Sequence, residues 1–239
     1  MLDRTPLRAV TGAVALGVEP TARGVEVRYF DAVRGETRRL AARAAILAVP
    51  AFVARRLCPP TDAARLPLRA ASPWVVCNLH LTRDRGANPS WDSVLYDAAG
   101  LGYVDARHQL FDVAPRTVLT YFRAYGGSNV ERARRELVGK TWHALVGEML
   151  LDLRPAHPDL AADIERVDAM VWGHAMPRPR PGFLGAKPFA VPAELGRRIF
   201  WAHVDQSGIA LFEEALQHGV RAAELVADAI GARREASWL

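Results

Sequence analysis

A short apolar run in the first quarter of the chain most strongly limits what this sequence can fold into. Residues 44–49 read Ala-Ala-Ile-Leu-Ala-Val, and Pro50 closes the run. An apolar stretch of strand length, without alternating polar residues, is typical of a strand covered on both faces in a parallel sheet. The run therefore predicts an α/β protein.

A predicted β-hairpin leads into this run. Residues 25–29 alternate apolar and polar side chains, residues 31–35 read as a turn, and residues 37–40 form the return strand. A short helix is predicted over residues 51–57, and the three prolines that follow it, at positions 59, 60 and 67, indicate a crossover between domains.

The middle of the chain is predicted to be rich in strands, and its last part helical. Strands are expected over residues 74–81, 94–97, 103–106 and 116–124. One long helix is expected from Ser128, with Glu131 at capping-box spacing, to about Leu153 before Pro155. For Tyr103, His108, Tyr121 and Tyr125 of this section, core packing or a place on the sheet surface is favoured over substrate contact.

The last part of the chain returns to an α/β pattern. We predict a strand over residues 165–172, a loop over 176–192, a strand over 199–202 and an amphipathic helix from Ile209 with an apolar stripe packed on a sheet. The fold class is therefore α/β with α+β character. The predicted segments are residues 1–69, 70–190 and 191–239, of which the first and last form one domain.

Composition excludes several classes of function. The net charge is +5, but the 31 basic residues are scattered among acidic ones, which argues against nucleic-acid binding. Cys58 and Cys77 fit reduced structural thiols and no metal site. No apolar run approaches the roughly 20 residues of a membrane helix, and no secretory signal is visible, so we expect a cytoplasmic protein without membrane contact.

A strand, a polar turn and a long helix near the C-terminus carry the clearest chemical signal. The segment 199–209 reads Ile-Phe-Trp-Ala-His-Val-Asp-Gln-Ser-Gly-Ile. The N-terminus of a helix offers unpaired N–H groups and partial positive charge, which suit a phosphate or the electron-rich edge of a flavin. The alternative is that Asp205 or Ser207 only caps the helix that follows.

The segment from Ile199 to Ala223 resembles the last block of the amine-oxidase and phytoene-desaturase family of flavoproteins. The hairpin from Gly24 and the run ending at Pro50 are similar to another block of that family. The resemblance covers almost the whole chain in the right order. It implies an FAD-binding domain, here incomplete, with an inserted substrate domain of strands and helices.

The resemblance also implies roles for individual residues toward FAD and a small organic substrate. Asp205, Ser207 and Gly208 would approach the phosphate and ribityl chain. Ile209 and the helix start would approach the flavin ring, which His203 could also face. The adenosine would lie between Val14, Val49 and Pro50.

Two departures from the family pattern bear on activity. No Gly-x-Gly-x-x-Gly loop opens a βαβ unit, so we expect the first half of the nucleotide-binding domain to lie outside this sequence. Many family members place a lysine in the first strand of the substrate domain, but residues 74–80 contain none. Asn78 or His80 could hold a water in its place, or both could be polar residues on a wet sheet face.

Two hypotheses of function follow. The first is an FAD-dependent oxidoreductase that transfers hydride from a small organic substrate to the flavin. The second is a truncated, catalytically silent relative that acts as a binding or assembly module, by self-association or with an N-terminal partner segment. The second predicts an exposed apolar surface on residues 45–49 and on the last helix.

Overall fold

The computed structural model describes residues 8–83, 90–109, 116–127, 129–179, 181–183, 193–196 and 198–232. It divides into two compact units, which are described separately. Unit 1 comprises residues 1–69 and 179–239, and unit 2 comprises residues 70–178. None of the helices in the described ranges has the length and apolarity required to cross a bilayer.

Strands and helices are mixed throughout, which confirms the predicted fold class. The strands are β1 (Ala13–Pro20), β2 (Val25–Asp31), β3 (Glu36–Ala42), β4 (Ala45–Leu47), β5 (Ala71–Leu81), β6 (Asp92–Val94), β7 (Gly102–Asp105), β8 (Thr117–Ala124), β9 (Ile164–Pro177), β10 (Glu194–Gly196) and β11 (Ile199–Trp201). The helices are α1 (Ala51–Leu57), α2 (Pro60–Ala63), α3 (Val130–Val138), α4 (Trp142–Leu153), α5 (Leu160–Asp163) and α6 (Phe212–Ala229).

Unit 1 contains two three-stranded sheets. Strands β1, β2 and β3 form an antiparallel meander, and the other sheet has the order β10-β11-β4. Strand β11 pairs with β4 in parallel, with Trp201 opposite Leu47. The apolar run is thus part of a parallel pair, as its composition predicts.

The cover of β4 differs from the prediction. Leu47 is buried in a core with Ala54, Ile199 and Trp201. Ile46 instead retains 40% of its surface. Side chains alternate between the two faces of a strand, and β4 is the edge strand of its sheet among the described residues. Cover on both faces was therefore a wrong expectation for Ile46.

Unit 2 is a five-stranded antiparallel sheet of order β6-β7-β8-β5-β9. Alternate residues of β5, from Val75 to Leu81, are buried. They share a core with α3 and α4, including Leu137, Met149 and Leu153. The sheet therefore has one face covered by helices, the common arrangement for an antiparallel sheet.

The single helix predicted from Ser128 to Leu153 is wrong, because the chain forms α3 and α4 instead. The side chain of Asn129 accepts a hydrogen bond from the Arg132 amide and caps α3, while Ser128 lies outside the described residues. Thr141 accepts from the Ala144 amide at 3.3 Å and caps α4. A second N-cap after Gly139 favours a new helix over continuation of the first.

The C-terminal helix also differs from its prediction. Helix α6 packs beside β4 and β11 but begins at Phe212 rather than near Ile209. His218 and Ala222 are its buried residues. Phe212 and Leu216, on the predicted apolar stripe, are 77% and 45% exposed. The face that α6 turns inward is therefore not the one that its hydrophobic periodicity indicates.

Both cysteines are free and buried, Cys58 in unit 1 and Cys77 in unit 2. Burial raises the pKa of each thiol to about 11, with a smaller contribution from Asp62 at Cys58. Both thiols are therefore protonated at neutral pH and poor nucleophiles.

Candidate functional site

The carboxyl ends of the two parallel strands meet in unit 1. The Trp201 indole Nε1 donates to the Val49 carbonyl at 2.8 Å, and the Ala202 amide donates to the Leu47 carbonyl at 3.1 Å. Ligands of open α/β sheets bind outside the carboxyl ends of the strands. The position of Val49, Pro50, His203 and Asp205 at this edge makes it the candidate cofactor site.

Asp205 connects the two strand ends. Its Oδ2 accepts a hydrogen bond of 2.8 Å from the amide of Ala51, the first residue of α1. Helix α6 has no side-chain cap. The alternative in which Asp205 or Ser207 caps the following helix is therefore wrong, because Asp205 caps the helix that follows β4.

The Arg69 side chain binds the backbone carbonyls of the same turn. Its Nε donates to the Asp205 carbonyl at 2.6 Å, and its Nη2 donates to the Gln206 carbonyl at 2.9 Å. The guanidinium also lies 5.3 Å from the centre of the Phe183 ring. These contacts fix the backbone of the turn between β11 and α6.

The Asp205 carboxyl is ionised well into the acid range. Burial acts to raise its pKa, but the adjacent His203 imidazole, a hydrogen bond from the Ala51 amide and the charge of Arg69 lower the pKa below the ordinary value of 3.8. The Asp205 amide also donates to His203 Nδ1 at 3.1 Å, and the imidazole stacks on Trp201. The turn therefore contains an ionised carboxylate, which the Ala51 amide and the nearby Arg69 stabilise.

This lowered pKa predicts a pH dependence of stability. Because the folded pKa lies below the unfolded one, the stabilisation is present above about pH 5 and is lost as pH falls below about 4. We expect Asp205→Asn to reduce the free energy of unfolding by about 1 kcal/mol at neutral pH, the usual scale of a charge at a helix end. Urea unfolding at several pH values measures this, and a difference independent of pH would contradict it.

A side chain of α6 contacts Ser207, which follows Asp205 in the turn. His218 Nε2 lies 3.3 Å from the Ser207 hydroxyl and 3.5 Å from a Glu214 carboxylate oxygen. The Ile209 amide donates to the Ser207 hydroxyl at 3.3 Å. Gly208 has a φ of 77°, and a Cβ there would lie 2.6 Å from the Phe183 ring. Only glycine fits this position without movement of the ring.

Two buried polar atoms, one in this turn and one on α6, have no hydrogen-bond partner within the part of the chain that the structure describes. They are Gln206 Oε1 and His218 Nδ1. Buried polar atoms are usually hydrogen-bonded, and like Asp163 Oδ2 in unit 2, these two atoms are positions that a water or a polar ligand can satisfy. The strand ends therefore offer hydrogen-bonding groups that a polar ligand could use.

Val14 lies apart from the strand ends in the meander sheet. It pairs with Phe30 and is 56% exposed. An exposed valine can contact a planar ring. Its proposed contact with adenine remains a prediction.

In unit 2, Asn78 and His80 lie two residues apart on β5, on the face opposite the helices. The Thr120 hydroxyl donates to Asn78 Oδ1 at 2.9 Å. His80 Nε2 is 2.9 Å from Asp168 Oδ2, which also accepts from Arg166 at 2.7 Å. Hydrogen bonds from His80 and Arg166 lower the pKa of Asp168. Asn78 and His80 thus belong to a polar cluster on a half-exposed sheet face.

Several site residues carried no local signal in the sequence. Arg69 lies in the proline-rich stretch, and its contacts with the turn span more than 130 residues of sequence. The spacing of Glu214 and His218, four residues apart on α6, was visible, but the link to Ser207 was not.

Comparison with known proteins identifies solved structures of similar fold. No protein-family model matches the sequence, and no curated protein matches it. Among solved structures, the chain is similar to cyclohexylamine oxidase from Brevibacterium oxydans IH-35A, with a TM-score of 0.62 and 20% identity over 91% of this chain and 48% of that one.

Two further solved structures show the same relation. A variant of putrescine oxidase with redesigned cofactor binding gives a TM-score of 0.59 and 14% identity, over 92% of this chain and 48% of that one. A putative protoporphyrinogen oxidase from Exiguobacterium sp. 255-15 gives 0.58 and 13%, over 90% and 47%. This chain spans about half the length of these oxidases, and over that length it has the amine-oxidase fold that the resemblance implied.

Proposed function

We propose that this chain is part of an FAD-dependent oxidoreductase that oxidises a C–N or C–C bond of a small organic substrate. One observation carries the proposal most directly: the carboxyl ends of parallel strands β4 and β11 converge on a turn with unsatisfied buried polar atoms. Bound FAD would supply the acceptor for the hydride that leaves the substrate carbon.

Different residues of unit 1 would contact different parts of FAD. Asp205, Ser207 and Gly208 would lie beside the phosphate and ribityl chain, and Ile209 with the uncapped start of α6 beside the ring, which His203 would also face. Val49 and Pro50 would flank the adenosine, with Val14 at the adenine. The donors at the start of α6 support these roles, because they favour electron-rich groups.

In unit 2, Asn78 and His80 would take the place of the family lysine and hold a water for the reaction. The support is chemical: the Asn78–Thr120 and His80–Asp168 pairs keep hydrogen-bonding groups at a half-exposed position. Asp168 and Arg166 would orient the His80 ring and so act as positioning residues.

An anaerobic reduction experiment tests the proposal. The chain is incubated with FAD, freed of excess cofactor and mixed with cyclohexylamine without oxygen. We expect loss of the oxidised flavin absorbance and its return on admission of air. A flavin spectrum unchanged by cyclohexylamine and by a panel of other amines would contradict oxidation of a C–N bond.

Two glycine variants provide a matched control. Gly208→Ala and Gly35→Ala both add a side chain at positive φ, 77° and 69°, so both are strained. A Cβ at Gly35 meets nothing within 4 Å, whereas one at Gly208 meets Phe183. We expect Gly35→Ala to retain FAD and Gly208→Ala to lose at least about tenfold in affinity, since close backbone approach is lost. Equal affinities would contradict the placement of FAD at this turn.

A second candidate function is a binding or assembly module. Exposed Ile46, Phe212 and Leu216 favour it, since large apolar side chains at the surface often mark interaction sites. It predicts concentration-dependent association that Phe212→Ser weakens, together with no flavin uptake. Sedimentation velocity of the chain and the variant would decide between the two functions.

A further inference from the structure

The Ser207 hydroxyl has three hydrogen-bond partners within unit 1. It donates to the Val204 carbonyl at 3.3 Å and accepts from the Ile209 amide at 3.3 Å. The Nε2 atom of His218 lies 3.3 Å from the same oxygen. A hydroxyl has one proton and two lone pairs, and the proton and one lone pair are already engaged. The hydrogen bond to His218 therefore requires that Nε2 carries a proton and donates it to Ser207, a tautomer inferred from the network.

The other ring nitrogen of His218 is buried without a hydrogen-bond partner in the described ranges. The residue retains 8% of its surface, and its Nδ1 is one of the unsatisfied atoms noted above. Protonation of the ring would turn this buried acceptor into a buried, charged N–H that has no acceptor. A buried charge is costly unless it is paired and hydrogen-bonded. The packing around α6 thus favours the neutral ring.

The groups around the ring affect its protonation in opposite directions. Burial makes the largest contribution and holds the pKa of His218 below its ordinary value of 6.5. The charge of Glu214, four residues earlier on α6, raises the pKa, whereas those of Arg221 and His203 lower it. Strands β4 and β11, which α6 packs beside, have only apolar side chains and add no titratable group.

We propose that His218 is a positioning residue for the turn between β11 and α6, and that only its neutral form holds the turn in place. The neutral ring donates to Ser207, and Ser207 in turn accepts from the Ile209 amide. Protonation of the ring places a charge at a buried position and releases this contact, so the turn loosens in acid. The inference rests on the proposed function only where the turn is taken as a cofactor site.

The sign of the pH effect follows from burial of the neutral ring. Because the folded pKa of His218 lies below the unfolded one, the folded turn binds fewer protons, and its stability decreases as the pH falls below about 6.5. Asp205 stays ionised in this range, since its pKa is below 3.8. His203 is the other histidine of the turn, so variants must separate the two rings.

Nuclear magnetic resonance of the cofactor-free chain, with isotope-labelled histidine and backbone nitrogen, tests the link directly. We expect a proton on Nε2 of His218 alone at neutral pH, and an Ile209 amide signal that shifts as His218 is protonated in acid. In Ser207→Ala, the Ile209 signal should no longer follow His218. A proton on Nδ1 alone at neutral pH, or an Ile209 amide that does not respond to His218, would overturn the inference.

The affinity for FAD measures the consequence for the proposed cofactor site. The original chain should bind FAD about fivefold more weakly in mild acid than at neutral pH, the scale of one lost hydrogen bond. His218→Gln keeps an amide donor but cannot be protonated, so it should bind equally well at both pH values. His143→Gln, at an exposed histidine of α4, is the matched control and should keep the pH dependence of the original chain.

A loss of FAD affinity in acid that persists in His218→Gln would assign the effect to another group and overturn the inference. Circular dichroism at each pH confirms that the chain and its variants remain folded. Absence of FAD uptake at every pH would contradict the proposed function alone, because the magnetic resonance test needs no cofactor. FAD uptake together with an Ile209 amide that is independent of His218 would keep the proposed function and remove the positioning role.

Discussion

Replacement of Trp201 by alanine is expected to destabilise unit 1 by about 3–5 kcal/mol, the range for truncation of a large buried aromatic side chain. The side chain is fully buried at the end of β11. It packs in a core with Leu47 and Ala54, and its indole donates to the Val49 carbonyl at 2.8 Å. Its loss leaves both a cavity and an unpaired carbonyl between the parallel strands.

Urea unfolding followed by far-ultraviolet circular dichroism measures the effect. Trp201→Phe keeps most of the volume and removes only the hydrogen bond, so we expect a loss of about 1 kcal/mol beyond the small volume change. Trp172→Ala, at a residue that is 52% exposed, should change stability by less than about 1 kcal/mol. Equal effects of the two alanine variants would show that Trp201 does not hold the strand ends together.

Asp152→Ala should produce the second large effect, a loss of about 3 kcal/mol in unit 2, since two hydrogen bonds to one carboxylate are removed. Asp152 Oδ2 accepts from the Tyr121 hydroxyl at 2.5 Å and from the Gly100 amide at 2.7 Å. Tyr121 is 1% exposed. Burial, with the hydrogen bond to Asp152, raises the pKa of Tyr121 far above its ordinary value, so the hydroxyl stays protonated and needs an acceptor.

A double-mutant cycle tests this account of Asp152. Tyr121→Phe removes the hydroxyl that Asp152→Ala would leave unsatisfied, so the double variant should be less destabilised than the sum of the two single variants. Asp97→Ala, at an exposed aspartate of the same unit, is the control for loss of charge and should be nearly neutral. Additive effects of the first pair would mean that the two side chains do not interact.

Local sequence patterns predicted several strands correctly. The alternation of Val25 to Tyr29, the apolar run before Pro50 and the strand of Trp74 to Leu81 all correspond to observed strands. Tyr103 and Tyr121 are core residues, as expected. In each case the strand follows from the side chains of the segment itself. The apolar run nevertheless did not predict the exposure of Ile46.

Other features depend on tertiary partners or on competing local signals. Asp205 and Ala51 are 154 residues apart, so nothing near Asp205 indicated which helix it caps. The buried face of α6 is set by contacts of His218 and Ala222, against the apolar periodicity of Phe212 and Leu216. The break between α3 and α4 had a local cause in Thr141, but the hydrophobic pattern on both sides concealed it.

The visible absorption spectrum of the purified chain, taken after incubation with FAD and gel filtration, tests the central claim most directly. The proposed site at the ends of β4 and β11 predicts retained flavin absorbance at close to one FAD per chain. A folded chain that leaves the column colourless would contradict the assignment of this turn as a cofactor site and favour the assembly function.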